Sequence, residues 1–261
     1  MDFYNVKGMF KKAAESGKKA ELLLPHINNV TFLSLYYFMR SFQLFTIGNY
    51  EEALKHVDIS IEKYSTTDFP EHFHIFNKIF KAEILARSGA LAKSLELIEA
   101  NRMNFTKFYP NESNFKVLRM DSVRAFIYLK QGKLKESFDL ISSTIDGFNS
   151  LFKKDNENAI QGFTHIVLGE IYEKQNDFHH AMQTYKKAEE IYNHIFSEID
   201  GADISYLYKN MAILGEKVRD DFITQKYFQL LLKHFGRDHV RTQEVVDYLE
   251  EKSLQVPWSK L

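Results

Sequence analysis

A chain of 261 residues with 34 basic and 35 acidic side chains has a formal net charge of −1, so bulk electrostatics gives it no attraction for nucleic acid or an anionic membrane. Its 23 Phe and 14 Tyr supply ample apolar surface for a packed interior, which excludes wholesale disorder, and 11 Gly and 4 Pro are few enough for long helices. The absence of Cys excludes disulfides, thiolate metal sites and Cys nucleophiles, and fits a reducing, cytoplasmic setting.

The start of the chain, Met1-Asp2-Phe3-Tyr4-Asn5, lacks the basic-then-apolar layout of a signal peptide. No apolar run anywhere approaches the ~20 residues of a membrane helix. Gly8-Met9-Phe10-Lys11-Lys12-Ala13 introduces a pattern that recurs along the chain: Gly, any residue, a large apolar residue, two more, then a small residue. Two readings of this first copy stand side by side. Either Met1 lies inside the first helix of a shortened unit, with 1–24 a partial unit or N-terminal helix, or the match is a coincidence in a Lys-rich helix. A partial unit would leave an apolar edge at Phe3, Val6 and Phe10 open to self-association.

The next stretch crowds Phe32, Leu35, Tyr36, Phe38, Met39, Phe42 and Phe45 onto one helix that is apolar nearly all round, which implies burial on both sides or a sticky face. It runs into Gly48-Asn49-Tyr50-Glu51-Glu52-Ala53. The pattern returns as Gly89-Ala90-Leu91-Ala92-Lys93-Ser94, as Gly132-Lys133-Leu134-Lys135-Glu136-Ser137 and, with Asn for Gly, as Asn176-Asp177-Phe178-His179-His180-Ala181, at spacings of 41, 43 and 44 residues.

Each position has a physical reason. Gly or Asn takes the left-handed conformation that ends a helix and reverses the chain. The large residue anchors the turn, and the small one lets two helices approach. Another small residue stands seven before the Gly: Ser41, Ala82, Ala125 and Gly169. Four before the Gly come Leu44, Leu85, Tyr128 and Tyr172, on one helical face. Pro25, Pro70 and Pro110 fall between units, as do the polar runs Lys153–Asn156 and Asp200–Asp203. A fifth copy is degenerate, with Ala212 at the small position and Phe222 read as the turn anchor. It ends at Phe235-Gly236-Arg237-Asp238-His239, after which 241–253 reads as a capping helix with Val245, Val246 and Leu249 on its apolar face.

This layout resembles the tetratricopeptide repeat (TPR) family, over roughly residues 26–235, and the fourth copy (Gly169, Tyr172, Phe178, Ala181, Tyr185, Ala188) matches it best. The units exceed the standard ~34 residues. In this they resemble kinesin-light-chain-like TPRs and the sensor halves of Gram-positive peptide-sensing regulators. The resemblance implies an all-α fold: an α-solenoid of about five helix-turn-helix units and a C-terminal capping helix in a single repeat domain spanning 1–261. Units are expected at 26–64, 70–108, 111–152, 157–199 and 203–235.

It also implies a concave surface lined by the first helix of each unit. At the family's contact positions stand Phe38, Phe42 and Phe45 in unit one, and Phe76, Ile79 and Arg87 in unit two. Arg119, Phe126 and Lys130 follow in unit three, Glu170 and Lys174 in unit four, and Tyr206 and Lys209 in unit five. The basic clamp that chaperone-binding TPRs close on a carboxylate is missing, because Phe38 and Phe42 occupy its positions. A protein partner or hydrophobic peptide is the expected ligand, with no nucleic acid and no membrane span. Two further roles stay open: the ligand-sensing half of a peptide-responsive regulator, or a C-terminal appendage of an enzyme.

Catalytic chemistry finds no foothold in the sequence. Ser16-Gly17-Lys18-Lys19 lacks the earlier Gly and the final Ser or Thr of a phosphate-binding loop. Neither a Gly-x-Ser-x-Gly elbow nor a His-Glu-x-x-His pair is present. His72 and His74 diverge around a helix, as do His179 and His180, so neither pair completes a zinc site. No catalytic residue, metal or cofactor is expected, and the chain reads as a binding module rather than an enzyme.

Overall fold

The computed structural model describes residues 9–67, 71–110, 114–152, 157–196, 201–252 and 254–257, and among them twelve α-helices and no strand. These are α1 (Phe10–Glu21), α2 (Val30–Thr46), α3 (Tyr50–Ser65), α4 (Glu71–Arg87), α5 (Leu91–Phe108), α6 (Phe115–Lys130), α7 (Leu134–Leu151), α8 (Ala159–Lys174), α9 (Phe178–Ile195), α10 (Ala202–Lys217), α11 (Asp221–Phe235) and α12 (Val240–Glu251). The expectations placed on residues 1–8, Pro70, Lys153–Asn156, Asp200 and the side chains of Phe10 and His72 lie outside the described residues. Ser16–Lys19, which looked faintly like a phosphate loop, is ordinary helix inside α1.

The recurring turn ends five helices in the same way. Gly48, Gly89, Gly132 and Asn176 all take positive φ, and the residue after each donates its backbone N–H to a carbonyl five residues back. These bonds run Asn49 to Leu44, Ala90 to Leu85, Lys133 to Tyr128 and Asp177 to Tyr172, each at 2.9 Å. The left-handed residue lets the chain fold back on the last carbonyls of the helix and satisfy them.

The degenerate fifth turn follows the same geometry, which corrects the reading of Phe222 as its anchor. Arg219 takes the left-handed position at φ 58°, and Asp220 donates to Gly215 at 2.8 Å. The anchor position therefore falls on Asp221, and Phe222 points outward with 75 % of its surface exposed. A side chain at positive φ costs about 1–2 kcal/mol. Arg219→Gly relieves that cost but frees the unfolded chain, so a net gain of about 0.5 kcal/mol is expected in urea denaturation.

Register within each pair is set by small residues. Ser41 Oγ donates to the Ala53 carbonyl at 2.7 Å, Ser94 to Ala82 at 2.5 Å, and Ser137 to Ala125 at 2.7 Å. Every one of these links joins the two small positions of a unit. Unit four replaces the hydroxyl by bare contact: the ring of Tyr185 on α9 lies over Gly169 on α8, and the ring of Tyr192 over Gly162. Two glycines seven apart on one helix thus face two tyrosines seven apart on its antiparallel partner.

Pairs stack so that α4 touches α6, α6 touches α8, and α8 touches α10, which places the first helices side by side along an inner face. The array curls until its ends meet, because α2 touches α10 and Gly48 lies against Ala202. α12 closes the C-terminal end, burying Val245, Val246 and Leu249 on α10 and α11. At the other end α1 is held to α2 by a 3.1 Å Glu21–Arg40 ion pair, and Leu22, Leu23, Phe32 and Leu35 stay exposed.

One partly buried group on α8 couples stability to pH. Burial, with Lys187 adding to it and Glu157 opposing, pushes His165 down to about 4. The unfolded chain takes up this proton below about pH 6.5, while the folded chain resists it down to about 4. Stability is therefore complete above about pH 6.5 and falls as pH drops, by at most ~1.4 kcal/mol per pH unit from this group. His165→Gln should flatten the fall of melting temperature between pH 7 and 5. It will not abolish it, since burial also lowers His74 and His239.

Candidate functional site: the inner channel

The inner face begins with aromatic rings. Phe80, buried on α4, sits among Phe38, Phe42 and Phe45 of α2 at centroid distances of 5.4, 5.8 and 5.5 Å. Phe76 joins the group 5.9 Å from Phe38. Arg119 of α6 caps the cluster, with its guanidinium 5.8 Å from the Phe42 ring and 2.7 Å from Glu83. Phe38, Phe42 and Phe76 keep part of their surface open, while Phe45, Ile79 and Phe126 are buried. Ile79 belongs to the inter-helix core beside Ile75 and Ala82.

Arg87, at the end of α4, is the hub of the interior. It pairs with Asp203 at the start of α10 and lies 4.1 Å from the Phe163 ring, 5.8 Å from Phe126 and 5.9 Å from Phe45. One side chain of the second unit thereby touches the other four. Its side chain is 7 % exposed, and that of Asp203 is 25 % exposed.

Beyond Arg87 the interior opens into a cavity of about 400 Å³ walled by Tyr50, Phe126, Lys130, Tyr206, Lys209, Arg241 and Glu244, among others. Lys130 pairs with Glu170 and donates to the Tyr206 hydroxyl at 2.7 Å. Burial disfavours the charge on Glu170, but Lys130 and Lys209 more than offset it and hold the carboxyl below the usual range. On the other side of Arg87, between Phe42, Phe45, Arg119 and the start of α10, only about 50 Å³ remains.

The sequence-derived candidates thus fall into two groups and two outliers, one of them Ile79 in the inter-helix core. Phe38, Phe42, Phe45, Phe76 and Arg119 meet around Phe80, and Phe126, Lys130 and Glu170 meet around Tyr206. Lys174 stands exposed at the end of α8, apart from both. Arg241 was assigned only to the capping helix. Its place on the channel depends on α12 folding back across α10, for which no local pattern gives a signal. Among the described residues no three His, Asp or Glu side chains cluster as metal ligands, and no helix is long and apolar enough to cross a membrane.

Comparison with known proteins agrees with this geometry. Residues 164–194, comprising most of α8 and α9, match the tetratricopeptide repeat model. No curated protein matches the chain. Among solved structures, a Rap protein complexed with competence and sporulation factor superposes with a TM-score of 0.66 at 14 % identity, covering 92 % of this chain and 69 % of that one. NprR in complex with its cognate peptide NprX gives 0.65 at 14 % identity, covering 95 % and 69 %. BtubC (BKLC) from P. vanneervenii gives 0.54 at 14 % identity, covering 98 % and 96 %. The chain is an all-α solenoid of tetratricopeptide type, with its fourth helix pair matched by the family model and its fold shared with Rap and NprR.

Proposed function

We propose that this chain is a peptide-binding TPR module that takes an apolar peptide segment of a partner into its inner channel and acts as an adaptor. The observation that supports the reading is the inner face itself, with half-open Phe38, Phe42 and Phe76 to one side of Arg87 and a cavity of about 400 Å³ to the other. That volume lies within the ~300–1,000 Å³ of ligand pockets, and its walls set the rings of Tyr50, Phe126 and Tyr206 beside charged Arg87, Lys130, Lys209, Arg241 and Glu244. A role as the peptide-sensing half of a regulator is favoured by the curled array, since a ligand inside it would bear on the α2–α10 contact. Rap and NprR, whose structures hold a factor and a peptide, lend support by fold.

In this reading the whole chain works as one repeat domain divided as its sequence suggests. The setting is cytoplasmic, nucleic acid is not a partner, and self-association involves the exposed Leu22, Leu23, Phe32 and Leu35. It is a binding protein, not a catalyst.

Selection from a library of random octapeptides tests the proposal. Selected peptides should bind with micromolar Kd, about −8 kcal/mol. Phe42→Ala should weaken them at least tenfold per folded molecule while lowering stability by ~1–3 kcal/mol. Binding that survives Phe42→Ala unchanged would place the ligand elsewhere.

A further inference from the structure

Three cations converge on one ring at the mouth of the channel. Lys209 Nζ lies 4.6 Å from the centroid of Tyr206, the Arg241 guanidinium 4.8 Å and Lys130 Nζ 5.4 Å. They come from α10, α12 and α6, so their meeting is made by the tertiary fold. Arg87 lines the same cavity.

Local helix electrostatics explains only part of this set. Arg87 and Lys130 end their helices, where a cation offsets the negative end of the dipole. Lys209 is in the middle of α10, and Arg241 sits in the first turn of α12, where the dipole disfavours a cation. Lys209 is also poorly partnered: its side chain is 15 % exposed, and its nearest carboxylate among the described residues is Glu244 at 3.8 Å. Burial lowers its pKa, and Arg241 and Lys130 add to the effect against the opposing pull of Glu170 and Glu244. Glu244 is itself engaged by Arg241, Glu170 by Lys130 and Asp203 by Arg87. Four cations against three carboxylates leave one positive charge facing the cavity.

We infer that this corner is a seat for a single carboxylate, carried by a ligand whose apolar part lies against Tyr50, Phe126 and Tyr206. The inference rests on the inner channel being the binding face. One excess charge matches a monoanion, whereas a dianion such as phosphate would meet Glu170 and Glu244 at close range. Lys209 and Arg241 supply the free hydrogen-bond donors, and the aromatic walls take up the apolar body. A peptide that ends in the cavity would present its C-terminal carboxylate here.

The test uses N-acetyl-L-phenylalanine, its neutral amide and inorganic phosphate as probes of the full chain, with binding read by ligand-observed NMR. The acid should bind saturably, and the amide and phosphate at least tenfold more weakly. Lys209→Met and Arg241→Met should each weaken the acid at least fivefold, with thermal melts confirming that both variants fold; Lys209→Met keeps the buried stem. A free C-terminus on a channel-binding peptide should likewise be worth at least tenfold over its amidated form. Equal binding of acid and amide, tighter binding of phosphate, or indifference to both substitutions would overturn the seat. If amidated apolar peptides bind while the acid probe does not, the seat fails and the channel reading stands. If no probe or peptide binds at all, both fall.

Discussion

Gly169→Leu is expected to cost at least ~3 kcal/mol, at the upper end of overpacking penalties, and to leave little folded protein at 37 °C. A Cβ built on Gly169 lands 2.5 Å from Tyr185 Cδ1 and closer still to Cε1. The ring cannot swing aside, because Tyr185 is fully buried and its hydroxyl donates to Glu173 at 3.0 Å. Leu adds three more carbons beyond that first clash, so α8 and α9 must part along the face that carries Gly162 against Tyr192 as well. Gly169→Ala should lose ~1–3 kcal/mol by the same contact. Urea denaturation followed by circular dichroism measures both. A Gly169→Leu midpoint equal to that of the native chain would contradict the packing described for this pair.

Arg87→Met has the second largest expected effect, about 3 kcal/mol. The substitution leaves Asp203 without its cation at a largely buried position, and removing one member of a buried pair costs ~3–5 kcal/mol. The lower end applies because a quarter of the Asp203 side chain meets solvent. Loss of the guanidinium from between the Phe163, Phe126 and Phe45 rings adds to the cost. The cause is separable from lost packing: Arg87→Met/Asp203→Asn should recover most of the loss, since it removes the stranded charge while keeping the stem. If the double variant is as unstable as the single one, the ion pair is not what holds units two and five together.

The two substitutions mark the limits of what the residues disclose before folding. Gly169 was legible because its role is local. The spacing from Gly169 to Asn176 to Ala181 repeats that of Ala82, Gly89 and Ser94, and period plus turn chemistry is enough to pair α8 with α9. The fifth turn was legible only to its register. Ala212 stands where the pattern demands, but without a Gly the left-handed residue could not be picked out. Phe222, an aromatic side chain next to the anchor position, drew the assignment one place beyond Asp221.

The inner channel is different in kind. Arg87 occupied a contact position in the repeat, yet its partner Asp203 lies three units further on, and the pairing exists only because the array curls until α2 reaches α10. Curvature accumulates from small rotations between units, set by side-chain volumes at each interface, and no single spacing encodes it. For the same reason the sequence left open whether the Phe-rich face is groove or core. In the fold Phe45 and Phe126 are buried, and Phe38, Phe42 and Phe76 remain half-open.

The most direct test of the channel as the binding face is a methyl- and aromatic-resolved NMR titration of the chain with a peptide selected for binding. Perturbations should concentrate on Phe38, Phe42, Phe76, Phe126 and Tyr206, spreading to Ala202 through the α2–α10 contact, while α3, α5 and α7 stay silent. Perturbations centred on α3, α5 or α7, with the inner rings unmoved at saturating peptide, would contradict it.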